Sequence, residues 1–329
     1  MPVAMSSEDA RASPAGTARQ RPTMATPNII TFAQDSRAFK IGFSNVFKDT
    51  LKVIPQSYKS WLRESPAKEF FKTDWSHSDL GVMDEKQIGA APKSDKIFFG
   101  KEKTFKMKTY GASLKIQYEV IRWDLYGIFG DVSKGLAKTA MTRYDVEAYQ
   151  IFNMAFVTTD SIFTDHQGEA LCAVAHKRMD GGVFKNRPSS DVGLSMTAMQ
   201  TATSDIRRSV NERGKLIKLT PQTLMTTVEN MWLATKLLGS QYDPENANQQ
   251  KNVLKDYSLK LEIGDYITTQ TNWFVLADKD SYEIRMATGD APDLMTDTEP
   301  ATRNQIFNSY CSFRIEVYRG RGIYGSVGA

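Results

Sequence analysis

Five side chains that could bind a metal ion or take part in catalysis lie close together in the sequence: Asp165, His166, Glu169, Cys172 and His176. Carboxylate, imidazole and thiolate groups at this spacing can bind zinc, and a hydrolase could use Asp165, His166, Cys172 and His176 around a metal-activated water. The segment lacks a second CxxC or HxxxH pair, and His77 is the only other histidine in the chain. We therefore interpret the segment as a structural surface loop, and keep a metal-dependent hydrolase as the less favoured alternative.

Three glycines, Gly320, Gly322 and Gly325, match the G-x-G-x-x-G pattern and follow an apparent strand. A dinucleotide site also needs a helix that holds the pyrophosphate and an acidic residue about 20 positions later. The printed sequence ends at Ala329, so we expect only a flexible turn and tail here. No G-x-S-x-G nucleophile motif is present. The sequence therefore predicts no enzyme, with no catalytic, cofactor-binding or metal-binding residues.

The composition is that of an ordinary globular protein. The 329 residues are 41% hydrophobic and 24% charged, and this balance excludes wholesale disorder. Two cysteines cannot form a disulfide framework. A formal charge of +4 is too even for a dedicated nucleic-acid binder. No segment approaches the roughly 18 apolar residues that cross a bilayer, so we expect no membrane partner.

The N-terminal part of the chain divides into two segments. Residues 1–27 carry almost no large apolar side chains, and we expect a mobile arm. From Ile29 to Trp61 apolar residues return at apparently irregular intervals. This second segment should pack on another part of the protein, but its spacing does not indicate which.

Alternating apolar and polar residues predict strands around Phe105 to Thr109 and from Leu114 to Val120. If residues 70–110 form a hairpin with arms of about a dozen residues, it projects about 40 Å. An isolated two-stranded ribbon is marginal in water. Such a hairpin should therefore lie against a neighbouring subunit.

Helical spacing predicts a long helix over about 132–156 with Asp131 as its N-cap. A second helix should begin after the cap Ser195 and end before Gly214. Further strands are predicted at 216–219, 259–263, 273–276 and 313–317. The predicted fold class is α+β.

The segment after Thr220 allows two interpretations. Thr220 and Pro221 could cap a helix that reaches Leu238, or a strand could precede a helix capped at Thr227. In either case a group of apolar residues should face a core: Met231, Trp232, Leu237 and Leu238.

From Tyr110 to Ser326 the sequence resembles the Mu-like phage major head subunit family, which are capsid proteins of tailed phages with the HK97-type fold. The order and spacing of several short segments carry this resemblance: Tyr110-Gly111, Phe152-Asn153-Met154-Ala155-Phe156, Gly168-Glu169-Ala170-Leu171-Cys172, Trp232-Leu233-Ala234 and Trp273-Phe274-Val275-Leu276.

The resemblance implies a division of the chain. Residues 1–60 would form an N-terminal arm and residues 61–110 an extended β-hairpin loop. Residues 111–215 and 301–329 would form a peripheral domain around the long spine helix, and residues 216–300 an axial domain.

The resemblance also implies function and partners. The protein would be a major capsid protein that forms the pentamers and hexamers of an icosahedral phage head enclosing double-stranded DNA, bound non-specifically. It would assemble in the host cytoplasm with a separate scaffolding protein, and its further partners would be a portal and, optionally, a decoration protein. A cellular nanocompartment shell of the same fold is the alternative. We expect these residues to contact neighbouring subunits: Phe39, Phe43, Phe47, Phe98, Phe99, Lys101 and Lys103.

Overall fold

The structure, a computed structural model, describes residues 36–122, 129–242 and 251–328, with side chains from residue 40 onward and from residue 130 in the second range. The predicted mobile arm 1–27 lies outside these residues. The described helices are α1 (Ser36–Val53), α2 (Tyr118–Arg122), α3 (Phe129–Asn153), α4 (Met196–Arg207) and α5 (Met231–Gly239), with 3-10 turns at Ser57–Ser60 and Val253–Tyr257. No described helix is both long and apolar enough to span a membrane.

The described strands are, in chain order, β1 (Arg63–Pro66), β2 (Phe71–His77), β3 (Phe99–Lys106), β4 (Lys108–Ile116), β5 (His176–Lys177), β6 (Val183–Phe184), β7 (Pro221–Thr226), β8 (Lys260–Ile263), β9 (Trp273–Ala277), β10 (Ile284–Thr288), β11 (Asp293–Thr298), β12 (Gln305–Val317) and β13 (Ile323–Ser326).

The long strand β12 organises a five-stranded sheet. One edge of β12 pairs with β4, and the other pairs first with β11 and then with β10, all antiparallel. Strand β1 adds to β10 in parallel. Strands β10 and β11 fall in the segment 216–300 that we assigned to the axial domain, yet they pair with β12, so this sheet crosses the predicted boundary at residue 300.

A second sheet has the strand order β13-β9-β7-β8. Every residue of β9 and β13 is buried. Strand β13 falls in the segment 301–329 assigned to the peripheral domain, although it pairs with β9. It also replaces the flexible tail that we expected around the three glycines. A Cβ on Gly325 would lie 2.5 Å from the Phe274 ring, so the glycine serves close packing.

Helix α3 is the predicted spine helix, shifted by about three residues. It spans Phe129–Asn153, so Asp131 lies in its first turn and is not the N-cap. One face buries residues at helical spacing: Ala137, Tyr144, Ala148, Ile151 and Phe152. Ala137 lies in a smaller core with Phe307, and the other four residues lie in the main core with residues of both sheets, as the amphipathic pattern predicts.

Helix α1 occupies the segment whose spacing we considered irregular. Phe43 and Phe47 are four residues apart, which places them on one helix face. Phe43 and Phe47 are fully buried in a small core with Phe307 and Ile116. The helix lies along α3, where the Ser133 hydroxyl donates a 2.8 Å hydrogen bond to the Phe43 carbonyl.

Helix α4 confirms the second predicted helix, and the Ser195 side chain caps it by accepting from the Ala198 amide at 3.1 Å. The helix ends at Arg207, so Gly214 does not terminate it. Gly214 instead has a φ of 72° in the following turn, where its amide donates to the Asn211 carbonyl.

The two interpretations after Thr220 are decided in favour of a strand followed by a helix. Strand β7 ends at Thr226 and α5 starts at Met231, so Thr227 is not its cap. Leu237 is buried as predicted, but Trp232 is 77% exposed, because α5 turns that side of the helix to solvent. The predicted strand at 216–219 is reduced to a single bridge between Leu216 and Val210.

The strand predicted from Leu114 to Val120 ends at Ile116. Helix α2 follows and contains Tyr118 and Val120. Val120 is buried in the same small core as Phe43. Its apolar side chain extended the alternating pattern in the sequence, but in the structure it packs from a helix. The strands predicted at 259–263, 273–276 and 313–317 are present as β8, β9 and the second half of β12.

Candidate assembly surface

Strands β2 and β3 form an antiparallel ribbon, which we call the stem. Its pairing runs from Phe71 opposite Lys106 to Trp75 opposite Glu102, and after a register shift it ends at His77 opposite Phe99. The seven residues of β2 span about 23 Å at about 3.3 Å per residue. The stem is therefore shorter than the predicted hairpin, since β4 leaves the ribbon and joins the five-stranded sheet.

The inward face of the stem is held by a half-buried lysine. The Lys103 ammonium donates to the carbonyls of Ile162 at 3.1 Å, Thr164 at 2.6 Å and Val317 at 2.9 Å. Burial lowers the pKa of Lys103 to about 8, although Asp165 and Asp160 oppose this shift. The amine is still largely protonated at neutral pH and can donate to all three carbonyls.

A second inward contact involves Glu316, whose side chain is almost completely buried. Its carboxylate accepts from Arg314 Nε at 2.7 Å and Arg285 Nε at 2.6 Å, and Lys72 Nζ of the stem lies 3.5 Å away. Burial would raise the pKa of Glu316, but hydrogen bonds from Tyr318, Arg314 and Arg285 outweigh it and lower the pKa to about 2. This charged cluster links β12 and β10 to the base of the stem.

The outward face of the stem is aromatic and exposed. Phe71 is 56% exposed, Trp75 is 59% exposed and Phe99 is 75% exposed. The Lys106 ammonium lies over the Phe70 and Phe71 rings at 5.8 and 5.9 Å from their centroids. Clustered exposed aromatic rings are typical of protein interaction sites.

Beyond the stem, residues 79–97 form an irregular tip. It carries Val82, Met83 and Ile88 with almost no cover from the rest of the described chain. Arg213 holds the returning end of the tip, because its guanidinium donates to Asp95 at 2.7 Å and to the Lys96 carbonyl at 2.6 Å. Hydrogen bonds from the Gly81 amide, Arg213 and the Lys96 amide lower the pKa of Asp95 to about 2.

The predicted contact residues have different fates. Phe98 and Phe99 are exposed at the end of the stem, and the Lys101 side chain is exposed although its ammonium donates to the Gln167 carbonyl at 2.9 Å. Lys103 points inward and binds its own subunit. The Phe39 side chain lies outside the described residues.

Phe43 and Phe47 require a correction. Both rings are fully buried, and Phe43 stacks on Phe307 with centroids 4.1 Å apart. Neither ring offers surface to a neighbour in this conformation. They hold α1 on its own subunit because helical spacing turns them together towards the core.

Sequence reasoning missed Phe71 and Trp75. The signal was available, since Phe71, Thr73, Trp75 and His77 occupy alternate positions of one strand and therefore share a face. The intervening Lys72 and Asp74 are half-buried, so here the charged residues face the subunit and the aromatic residues face outward. This reverses the usual polarity of a half-buried strand.

The segment that suggested a metal site is a hydrogen-bonded loop. His176 Nδ1 lies 3.1 Å from Asp165 Oδ2 and 3.7 Å from Glu169 Oε2, so these three residues could hold an ion. His176 Nε2 already lies 2.9 Å from Asn186 Oδ1, and the Lys177 amide donates to Glu169 at 3.0 Å. A metal ion would have to displace contacts that already connect the loop.

Asn186 shows what this loop does. Its amide nitrogen donates to the carbonyls of Leu171 and Gly320, both at 2.8 Å, and its oxygen accepts from the Ala173 amide at 2.9 Å. These bonds fasten the loop to the segment that leads into β13. A Cβ on Gly320 would lie 2.3 Å from the Leu171 carbonyl oxygen, so this contact requires glycine.

Of the four proposed hydrolase residues, the structure brings the side chains of Asp165 and His176 together, and the other two have different surroundings. His166 Nε2 faces Asp74 of the stem at 3.4 Å, away from His176, which pairs with Asp165. Cys172 is fully buried in the main core, and burial raises the pKa of its thiol well above the usual range. A buried, protonated thiol is a poor nucleophile and a poor metal ligand.

Comparisons with known proteins agree with this architecture. A family model described as phage capsid protein matches residues 101–326. No curated protein sequence matches the chain.

Among solved structures, one from Microbacterium phage Oxtober96 is 9% identical with a TM-score of 0.52, covering 95% of this chain and 96% of that one. One from Mycobacterium phage Patience is 9% identical with a TM-score of 0.51 and covers 94% of each chain. The procapsid of bacteriophage JBD30 is 11% identical with a TM-score of 0.50, covering 88% of this chain and 74% of that one.

These matches confirm the predicted α+β fold of the HK97 type and the phage capsid assignment, while the Mu-like branch stays a prediction. They indicate a structural component of the virion capsid and not an enzyme. Because the family model covers more than half of the sequence, the chain belongs to the phage capsid protein family.

Proposed function

We propose that this protein is the major subunit of an icosahedral phage head, in which it forms pentamers and hexamers around double-stranded DNA. The observation that carries the proposal is the capsid family match from residue 101 to residue 326. The exposed aromatic face of the stem supports it, because a monomer in water gains nothing by exposing these rings.

The stem and tip would lie across a neighbouring subunit. A buried aromatic side chain covers about 150–250 Å², and each Å² of buried apolar area contributes about 25 cal/mol. The rings of Phe71, Trp75, Phe98 and Phe99 would thus contribute several kcal/mol before ordering costs. Each subunit both gives and receives such a contact, so weak individual contacts add around a closed ring.

Among the predicted contact residues, Phe98, Phe99 and Lys101 remain in the proposal. Phe71 and Trp75 join them because both rings are exposed on the outward face of β2. Residues 61–66 belong with the body of the subunit, since β1 pairs with β10. We therefore place the start of the extended loop after Pro66. The arm, peripheral and axial domains stay as proposed, except that β10 and β11 join the sheet of β12 and β13 joins the sheet of β9.

The assembly partners are proposed from the family resemblance. A separate scaffolding protein would guide assembly in the host cytoplasm, a portal would occupy one vertex, and a decoration protein could bind outside. The nearly balanced charge supports only non-specific contact with packaged DNA.

Sedimentation velocity over a concentration series tests the proposal, with negative-stain electron microscopy of any fast fraction. Rings or closed shells are expected, with the scaffold gene co-expressed if needed. A strict monomer at every concentration under both conditions would contradict the proposed function.

A loop deletion tests the role of the tip. Deleting residues 76–102 would remove the ends of both β2 and β3, so we would replace only residues 79–97 with a short Gly-Ser turn. The stem should stay paired, since the Ser78 amide donates to the Phe98 carbonyl at 2.8 Å. The variant should fold and fail to close shells; normal particles would refute the role of the tip.

A further inference from the structure

The strongest unexplained feature of the stem is the lysine on its inward face. Lys103 places an ammonium, which has three protons, against three backbone carbonyls. Two carbonyls, of Ile162 and Thr164, belong to the loop after α3, and the third belongs to Val317 at the end of β12. One side chain thus joins three separate segments of the subunit.

We infer that Lys103 is a positioning residue for assembly, which fixes the direction in which the stem presents its aromatic outward face to a neighbouring subunit. The inference rests on the proposed function and deepens it. It assigns Lys103 an intramolecular role in place of the predicted contact with a neighbour.

The position of Lys103 within the ribbon supports this role. Lys103 lies opposite Asp74 in the strand register, in the middle of the stem. This position is between the Lys72 contact at the base and the Arg213 contact at the tip. Backbone carbonyls are fixed by the fold, so three of them define the ammonium position closely. Because side chains alternate across a strand, fixing the inward face also fixes the outward face.

The chemistry of the contact favours lysine. Among the described residues, no carboxylate forms an ion pair with Lys103, and Asp165 pairs with His176. The contact therefore consists of hydrogen bonds to backbone carbonyls. Asp160 and Asp165 stabilise the charge from a distance, and His166 and Asp74 are further titratable groups nearby. A guanidinium is planar and would not match three converging acceptors.

Lys103→Met tests the inference, because it retains the apolar stem of the side chain and removes the donors. Lys52→Met is the matched control, since Lys52 is exposed on α1 and makes one surface ion pair with Asp49. Three readouts are needed: thermal unfolding of the subunit, hydrogen exchange of residues 71–77 and 99–106, and the protein concentration required for shells.

We expect Lys103→Met to unfold close to the wild-type temperature. Exchange in the stem and the concentration required for shells should each rise about tenfold or more, as the loss of charge-assisted hydrogen bonds implies. Lys52→Met should match the wild type in all three readouts. Wild-type exchange or wild-type assembly in a folded Lys103→Met subunit would overturn the inference.

A wild-type measurement decides the outcome if Lys103→Met does not fold. Burial lowers the pKa of Lys103 in the docked stem to about 8, below its usual 10.5, so the docked stem gives up this proton more readily than an undocked one. Stem protection corrected for intrinsic exchange should therefore rise between about pH 8 and pH 10.5, while α3 protection stays constant. Unchanged stem protection would overturn the inference. If the wild type forms no shells, the proposed function fails, and hydrogen exchange still tests whether the Lys103 contact fixes the stem.

Discussion

Helix α1 and the extended loop both carry aromatic residues that seemed suited to contact a neighbour, yet they use them in opposite ways. Phe43 and Phe47 are buried within the subunit, while Phe71, Trp75 and Phe99 face solvent. In α1 the rings recur every four residues and are backed by α3. In the stem the rings alternate with charged residues, and the charged residues face the body. Aromatic content alone therefore does not identify an interface. The spacing of the rings along the chain, and the face of the element that packs on the subunit, decide whether the rings are buried or exposed.

The largest expected effect lies in α1. Phe47→Ala should lower the free energy of unfolding by about 3–5 kcal/mol, because it removes a fully buried ring and leaves a cavity. Urea unfolding of the unassembled subunit measures the change. Ile41→Ala, at an exposed position of the same helix, should change it by less than about 0.5 kcal/mol. Equal midpoints for the two variants would show that α1 is not packed as described.

An intermediate effect is expected from acid, which acts on the charges that hold the stem. The pKa of Glu316 is about 2 in the folded subunit, below its usual 4.5. The unfolded chain therefore binds the proton more readily, and the stabilisation is present above about pH 4.5 and is lost as the pH falls towards 2. Urea unfolding at successive pH values should show this loss in the wild type.

Glu316→Gln separates this carboxylate from the others. The variant should be less stable at neutral pH, because Arg314 and Arg285 lose their buried partner. Its stability should also depend less on pH between 4.5 and 2. Parallel pH profiles for the variant and the wild type would mean that another carboxylate controls the acid response.

The smallest effect on stability, with a large effect on assembly, is expected on the outward face. Phe99→Ser should change the free energy of unfolding by no more than about 0.5 kcal/mol, since its ring is 75% exposed. The concentration required for shells should nevertheless rise, because a ring that a neighbour would cover is lost. If Phe99→Ser destabilised the subunit as much as Phe47→Ala, the proposed difference between the buried rings of α1 and the exposed rings of the stem would be wrong.

Much of the fold could be predicted from local periodicity. The spine helix, α4 with its Ser195 cap, and strands β8 and β9 follow from apolar spacing and cap residues. The sheet memberships of β10, β11 and β13 could not be predicted, because pairing with β12 or β9 depends on contacts distant in the sequence. Trp232 was misplaced for a related reason, since helical spacing does not reveal which side of α5 is left uncovered.

The candidate site was only partly predictable. The loop and its exposed Phe98 and Phe99 were anticipated, and the alternation of Phe71 and Trp75 could have extended the set. The inward orientation of Lys103 could not be seen, because its partners are carbonyls of Ile162, Thr164 and Val317. Every residue has a backbone carbonyl, so the sequence does not indicate which carbonyls accept a hydrogen bond.

The contact between Lys103 and Val317 also has a consequence for the time course of folding. The two residues lie 214 positions apart, and closing so large a loop is entropically costly and slow. The stem can dock only after β12 has reached its place beside β4. We therefore expect the outward aromatic face of the stem to gain its fixed direction late in folding. A partly folded subunit should then add to a growing shell less efficiently than a fully folded one.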